Sequence, residues 1–253
     1  MSTLFISDLH LSAEHTDTIE LFQEFMSLRA CHSSSLYILG DLFEVWVGDD
    51  YIDTKLLPVI DALKEYTQLG NRLFIMHGNR DFLMAEQFEV LTGGTILPDP
   101  YVITLNGVQT ALSHGDMFCT DDVVYQAFKA KVRTPEWQQA FLAQSIEKRR
   151  EYAAAVRDKS KTHTSTKPHE IMDTNQSSIN QLMLDLSVTQ LIHGHTHRPN
   201  LHQFTLDNRP MSRYVLGDWY NQGSVLECDH NGCTLQTLES GSVLASVQSK
   251  VID

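Results

Sequence analysis

The segment LIHGHTHRPN sets His193, His195 and His197 at alternating positions, with Gly194 between the first two. Other polar groups with metal-binding chemistry stand apart along the chain: Asp8 and His10 in DLH, Asp41 in GD, Asn79 in GNRD, and His114 in HGD. Carboxylates, a carboxamide oxygen and imidazoles form a mixed oxygen and nitrogen donor set. Such a set suits manganese, iron or zinc better than calcium or magnesium. Seven donors are too many for one transition ion and enough for two. Two ions about 3.5–4 Å apart need a shared carboxylate, and the chemistry they serve is attack of activated water on phosphorus. Asp8 and His10 fall on one side of an extended segment, as do His195 and His197, because side chains alternate with period two. Gly194 permits a turn there. His193 therefore reads as the last residue of a strand, and His77 as a turn neighbour rather than a donor.

These donors need elements to carry them. Three apolar runs, Thr3–Ser7, Leu36–Leu39 and Arg72–Met76, each break into one of the polar groups. Between them, Thr16–Arg29 and Lys55–Gln68 carry apolar residues spaced for one buried helical face. Strands alternating with helices predict βαβ units and a parallel sheet, whose carboxyl edge is where such folds gather ligands. Asn106-Gly107 marks a hairpin, and so does Asn231-Gly232. From about Thr120 to Pro168 the pattern becomes helical: Val124, Phe128 and Val132 repeat at four-residue spacing, as do Trp137 and Phe141. Lys159–Lys167 reads as a polar connecting loop, and Thr174–Asp185 as a helix. The fold class is mixed α/β: two packed mixed sheets flanked by helices, one domain over residues 1–253, with a helical insertion at about 120–168.

Composition is that of an ordinary folded chain, 42% hydrophobic and 20% charged. A net charge of −13 disfavours a nucleic-acid partner. The charge is uneven, however, for ten of the nineteen Lys and Arg lie between Lys129 and Lys167 beside only four acidic residues. That basic stretch is either a docking surface for an anion or a solvated helical face. The four cysteines form no CxxC pair, and the opening residues lack the pattern of a secretory signal. Free thiols in a reducing cytoplasm are the expectation.

The five elements DLH at 8–10, GD at 40–41, GNRD at 78–81, HGD at 114–116 and GHTH at 194–197 resemble the calcineurin-like metallophosphoesterases in order and spacing. Longer segments, YILGDLFEVWVGDD, HGNRDFL, CTDDVVYQAF and LIHGHTHRP, are similar to the branch that hydrolyses UDP-2,3-diacylglucosamine in lipid A biosynthesis. The resemblance implies a four-layer αββα sandwich and two manganese ions. Asp8, His10 and His197 would hold one ion, Asn79, His114 and His195 the other, with Asp41 between them. It implies cleavage at the α-phosphorus to UMP and 2,3-diacylglucosamine 1-phosphate, with Asp41, Asn79, Arg80 and His195 at the reaction centre. Asn79, Arg80, Asp122, Ser160, Thr164, Lys167 and His195 would contact the head group, Thr164 standing where the family carries asparagine. The insertion would be a lid holding acyl chains. The implied setting is the cytoplasmic face of a bacterial inner membrane, bound peripherally, with a nucleotide-activated glycolipid as substrate and no obligate protein partner. The same metals would also serve a soluble dinucleoside polyphosphate or a phosphodiester, and a non-catalytic scaffold of the same fold is the remaining alternative.

Overall fold

The structure, a computed structural model, describes residues 2–166, 173–220, 223–238 and 243–248, and the side chains of all these except 160–166 and 243–248. Strands β1 (Thr3–Ile6), β2 (Ser35–Leu39), β3 (Arg72–Met76) and β4 (Thr95–Leu97) run parallel. Helix α1 (Thr16–Leu28) connects β1 to β2, α2 (Leu57–Gln68) connects β2 to β3, and α3 (Glu86–Thr92) connects β3 to β4. The next strands build a second sheet: β5 (Tyr101–Leu105), β6 (Val108–Ser113), β7 (Gln190–His193), β8 (Asn200–Leu206) and β9 (Arg209–Val215), in the order β5-β6-β7-β9-β8. The chain then returns to the first sheet with β10 (Ser224–Asp229), β11 (Gly232–Thr237) and β12 (Val243–Gln248), which extend it antiparallel from β1. Each sheet is thus mixed. The tail, which reads only as short strands, is divided between the two.

Side-chain alternation explains the layering. Leu4, Ile6, Leu36 and Ile38 pack toward α1 and α2, while Phe5, Tyr37 and Leu39 enter the seam between the sheets. Across that seam Ile192 and Tyr214 meet them from the second sheet. Leu191 and Met211 face the opposite way, onto Ile179 and Met183 of α7 (Gln176–Asp185). Strands buried on both faces need apolar residues at every position, which is why these runs are continuous rather than alternating.

The insertion comprises α4 (Val123–Val132), α5 (Pro135–Leu142) and α6 (Ile146–Thr166). Two sequence expectations change here. Residues 159–166 continue α6 rather than forming a loop; once the strong helix formers before them are wound, each further residue adds a hydrogen bond without a new nucleus. Val124 is 67% exposed, so the four-residue apolar spacing fails at its first position, although Phe128 is half-buried and Val132 buried. Tyr125 and Lys129 turn inward as well, because they reach a buried carboxylate of the body, Asp116. Trp137, Phe141 and Tyr152 pack on one another across α5 and α6, with Trp137 and Phe141 rings 4.9 Å apart.

The hairpin at Asn106-Gly107 forms as expected, both residues with positive φ. The later one is centred one residue earlier, on His230-Asn231, because Asp229 pairs with Gly232. That register sets Cys228 opposite Cys233, and the two form a disulfide. The expectation of four free thiols therefore fails for this pair, since the cue was a CxxC spacing and cross-strand pairing needs none. Cys31 and Cys119 stay outside that disulfide.

Candidate metal centre

Parallel register brings the donors to one rim. Ile6 pairs with Ile38, Leu39 with Met76, and Ser113 with His193, so Asp8, Asp41, Asn79, His114 and His195 follow directly from aligned strand ends. The sheets are tied there by polar bonds: His195 N donates to Asp8 Oδ2 at 2.8 Å and His114 Nδ1 to Leu39 O at 2.9 Å, while the neighbouring Ser7 Oγ donates to Asp8 Oδ2 at 2.6 Å.

The backbone does not reach this arrangement by extended geometry. Asp8, His10, Asp41, His195 and His197 all have φ between 51° and 69°. The period-two rule thus does not describe the site: Asp8 and His10 reach one group through two left-handed residues, not through a straight strand, and of His195 and His197 only His197 joins that group. Such a conformation costs an L-residue about 1–2 kcal/mol. It is tolerated at five donors because neighbouring contacts hold them, a pattern found at functional sites. Gly194 serves close approach rather than a positive φ, for a Cβ there would lie 2.0 Å from Ser7 Oγ and 2.3 Å from Asp8 Oδ2.

Around the rim, His10 Nε2 is 3.3 Å from His197 Nε2, and Asp8 Oδ1 is 3.3 Å from His197 Nε2 and 3.9 Å from His10 Nε2. On the other side His114 Nε2 is 3.1 Å from Asn79 Oδ1. Asp41 Oδ2 lies 3.8 Å from both His10 Nε2 and His114 Nε2. Ligand atoms about 2.0–2.2 Å from one ion are separated by roughly 3–3.5 Å, close to these spacings. Among the described residues, two groups could hold a cation: Asp8, His10 and His197, and Asp8, Asp41 and His114. Asp8 Oδ1 is buried without a hydrogen-bond partner, an orphaned carboxylate oxygen aimed into the first group. A buried anion in that state needs a cation, so the donor set fits divalent metals.

Each of three imidazoles presents Nε2 to the centre and is backed at Nδ1: His114 by Leu39 O, His10 by Glu44 Oε2 at 2.9 Å, His197 by Asp218 Oδ2 at 3.3 Å. The hydrogen bond at His114 fixes its ring and tautomer, whereas His10 Nδ1 lies close to its carboxylate without hydrogen-bond alignment. The His195 ring packs edge-on to His114, with centroids 5.0 Å apart, and faces Tyr125. His193 and His77 stay outside the centre. His193 contacts Gly194 O and Arg213, and His77 contacts Met84 O.

Electrostatics follow the same logic. Burial opposes charge on Asp8, yet His197 beside Oδ1 and the other nearby imidazoles hold its pKa far below the usual carboxylate range. Burial also works against imidazolium at His114, but Asp41, Asp8 and Asp116 raise it to about 9. At His197 burial is outweighed by Asp218 and Asp8, giving about 10. Burial, with the charge of His114, brings His195 down to about 4. Without metal, then, two imidazolium protons supply the positive charge the carboxylates need. Metal binding requires neutral imidazole. Loading the centre at pH 7 is therefore expected to release protons from His114 and His197, and fewer as pH rises past about 9 and 10. Titration calorimetry in buffers of different ionisation enthalpy measures this number; a value near zero at pH 7 contradicts the assignment.

The partners that hold the donors were mostly invisible in sequence. Asp81 accepts from Gly78 N at 2.8 Å and Leu42 N at 2.7 Å, pinning the loops of Asn79 and Asp41 together. Asp116 accepts from Tyr125 Oη at 2.5 Å and Lys129 Nζ at 2.7 Å. Both sit inside the GNRD and HGD elements, a signal that was available. Asp218 and Tyr220, in the loop after β9, carried none. Of the expected head-group contacts, Asn79 Oδ1 stands beside His114 Nε2, the His195 ring packs on His114 but joins neither candidate group, and Arg80 lies alongside, its backbone N donating to Asp41 Oδ1 at 2.8 Å. Asp122 caps α4 through Tyr125 N. Lys167 and the side chains of Ser160 and Thr164 lie outside the described residues.

This geometry can be compared with known proteins. The family model for calcineurin-like phosphoesterases matches residues 1–199, which include all seven donors. The chain belongs to that family. The phosphoesterase is 45% identical over 219 residues to the UDP-2,3-diacylglucosamine hydrolase of Chromohalobacter salexigens, covering 87% of this chain and 89% of that protein. It is 43% identical over 245 residues to the enzyme of that name from Stenotrophomonas maltophilia, covering 94% and 99%. Its two mixed sheets between helical layers are the fold of the family.

Proposed function

We propose that this phosphoesterase hydrolyses the diphosphate of UDP-2,3-diacylglucosamine at its α-phosphorus, using two manganese ions, and releases UMP and 2,3-diacylglucosamine 1-phosphate. The observation that carries the reading is Asp41 Oδ2, 3.8 Å from an imidazole on each side of the rim. Asp8, His10 and His197 would hold one ion, Asn79, His114 and His195 the other, with Asp41 between. When bound, such a pair activates water and neutralises charge on a phosphoryl group. The substrate class comes from the names of the similar proteins.

The chain's own groups complete the site. Asn79, Arg80 and His195 line the place where phosphate must sit. Arg80 stands where related phosphoesterases carry a histidine able to protonate an alkoxide. A departing phosphate monoester is already a stable anion and needs no such acid, whereas a guanidinium fork meets charge building on phosphate oxygens. Arg80→His is expected to lower diphosphate hydrolysis relative to that of an alkyl phosphodiester; an unchanged ratio of the two kcat/KM values contradicts the assignment.

The insertion acts as a lid. Arg133 Nη2 donates to Gly78 O at 2.7 Å, and buried Arg149 donates to Val47 O and Asp50, seating α4 and α6 against the metal loops. A cleft of ≈ 710 Å³ opens from Glu44 between that body and α6, past Leu11, Val45, Trp46 and Ala154. Its volume suits acyl chains, and its lining is mixed, those apolar groups standing beside Glu14, Glu147, Arg150 and Glu151. Asp122, Ser160, Thr164 and Lys167 are proposed contacts of the head group.

No helix among the described residues is long and apolar enough to cross a membrane. Peripheral association with the cytoplasmic face of the inner membrane is proposed instead, through exposed cations such as Lys131, Lys148 and Arg150. Each contributes about 1 kcal/mol near an anionic surface. The protein is expected to float with anionic vesicles at low salt and to be released at high salt; no flotation at low salt removes the idea. Phosphorus NMR of the products formed in oxygen-18 water tests the reaction itself. The label is expected on UMP, and label on the sugar phosphate contradicts attack at the α-phosphorus.

A further inference from the structure

We infer that Glu44 is a positioning residue through which the seating of α6 is felt at the metal centre. The inference rests on the proposed metal site and goes beyond it. Glu44 is 4% exposed, three residues after Asp41, and its carboxylate meets groups from four separate parts of the chain. Oε2 lies 2.9 Å from His10 Nδ1 and accepts the Tyr220 hydroxyl at 2.9 Å. Oε1 lies 2.8 Å from Arg157 Nε and 3.9 Å from Arg80 Nη1. One oxygen therefore stands against a metal-facing imidazole and the other against two guanidiniums; the His10 and Arg157 contacts are close ion pairs without hydrogen-bond alignment, and Arg157 also lines the proposed substrate cleft.

The consequence is mechanical. Arg157 belongs to α6, and the contacts found for it do not include any of the seven donors. A shift of α6 nevertheless moves Arg157 against Oε1, and the rigid carboxylate carries that shift to Oε2 and the His10 ring. Tyr220 limits the remaining freedom, since its ring also stacks on His10, with centroids 5.0 Å apart and planes 9° apart. A carboxylate with partners on both oxygens cannot satisfy one after the other has moved without loosening the rest. A merely structural role, neutralising buried charge between helix and body, would leave metal affinity indifferent to Arg157.

The test is manganese affinity, by calorimetry, of the full-length parent, Glu44→Gln, Arg157→Lys, the double variant, and Tyr220→Phe. Glu44→Gln is expected to weaken binding about tenfold or more, as loss of an imidazole's backing group does. Arg157→Lys keeps the charge but loses the fixed Nε contact. It is expected to weaken binding about threefold in the parent and not at all beside Glu44→Gln, because coupled contacts are non-additive. Parent-like affinity for Arg157→Lys, or a full additional loss in the double variant, overturns the inference. Should Glu44→Gln fail to fold, Tyr220→Phe stands in: a smaller loss in the same direction supports the coupling, and unchanged affinity counts against it. If the parent itself bound no manganese, the metal reading would fall first, which separates the two failures.

Discussion

Asp41→Ala is expected to lower turnover of UDP-2,3-diacylglucosamine by about 10³-fold or more while leaving the chain folded, since the bridging group controls stabilisation worth several kcal/mol. The magnitude follows from what one side chain does. Oδ2 stands between His10 and His114, the position from which a carboxylate can serve both ions. Oδ1 accepts from Arg80 N, fixing the backbone of the residue that faces phosphate. Alanine removes the proposed bridge, frees the Arg80 backbone, and takes away the carboxylate charge that does most to raise His114. The proton that metal loading displaces from His114 would then be held less tightly, yet the ions would have lost their shared ligand. Steady-state turnover with manganese in excess, alongside circular dichroism, separates the chemistry from the fold. Parent-like turnover would contradict the central role of Asp41.

Gly78→Ala carries the second large effect. A Cβ at Gly78 would fall 2.0 Å from Asp41 Oδ1 and 2.2 Å from Asp41 N, inside any tolerable contact and partly against backbone. The loop bearing Asn79 must move away, and with it the Asp81 bonds that join the two loops. Gly70 gives the contrast. It has φ +88° with nothing within 4 Å of an added Cβ, so Gly70→Ala meets strain without collision. It is expected to cost about 1 kcal/mol of stability and no activity. Gly78→Ala is expected to lose most metal affinity and turnover. Equal effects from the two substitutions, in denaturant titrations and assays, would show that the close approach at Gly78 is unimportant.

The rim groups proposed as metal donors were legible in sequence because an open α/β sheet brings strand ends together, and each apolar run breaks at a group with metal chemistry. The same signal identified the two sheets and the helices packed on them. It did not reveal left-handed backbone at Asp8, His10, Asp41, His195 and His197, because nothing in Asp or His reports φ without its neighbours. Asp218 and Tyr220 were illegible for a related reason: they reach the centre from a loop near the end of the chain, and only three-dimensional packing brings them to His197 and Glu44. The inward face of α4 was only partly legible, because part of it is polar. An apolar period finds helices that bury hydrocarbon, whereas Tyr125 and Lys129 are turned inward by Asp116. The cystine of Cys228 and Cys233 likewise depends on a strand register that spacing does not encode.

Anomalous diffraction at the manganese edge, from crystals grown with manganese, tests the central claim most directly. Two peaks about 3.5–4 Å apart are expected on either side of Asp41 Oδ2, as two-ion centres require. A rim without peaks, or a single ion not touched by Asp41, would contradict the account.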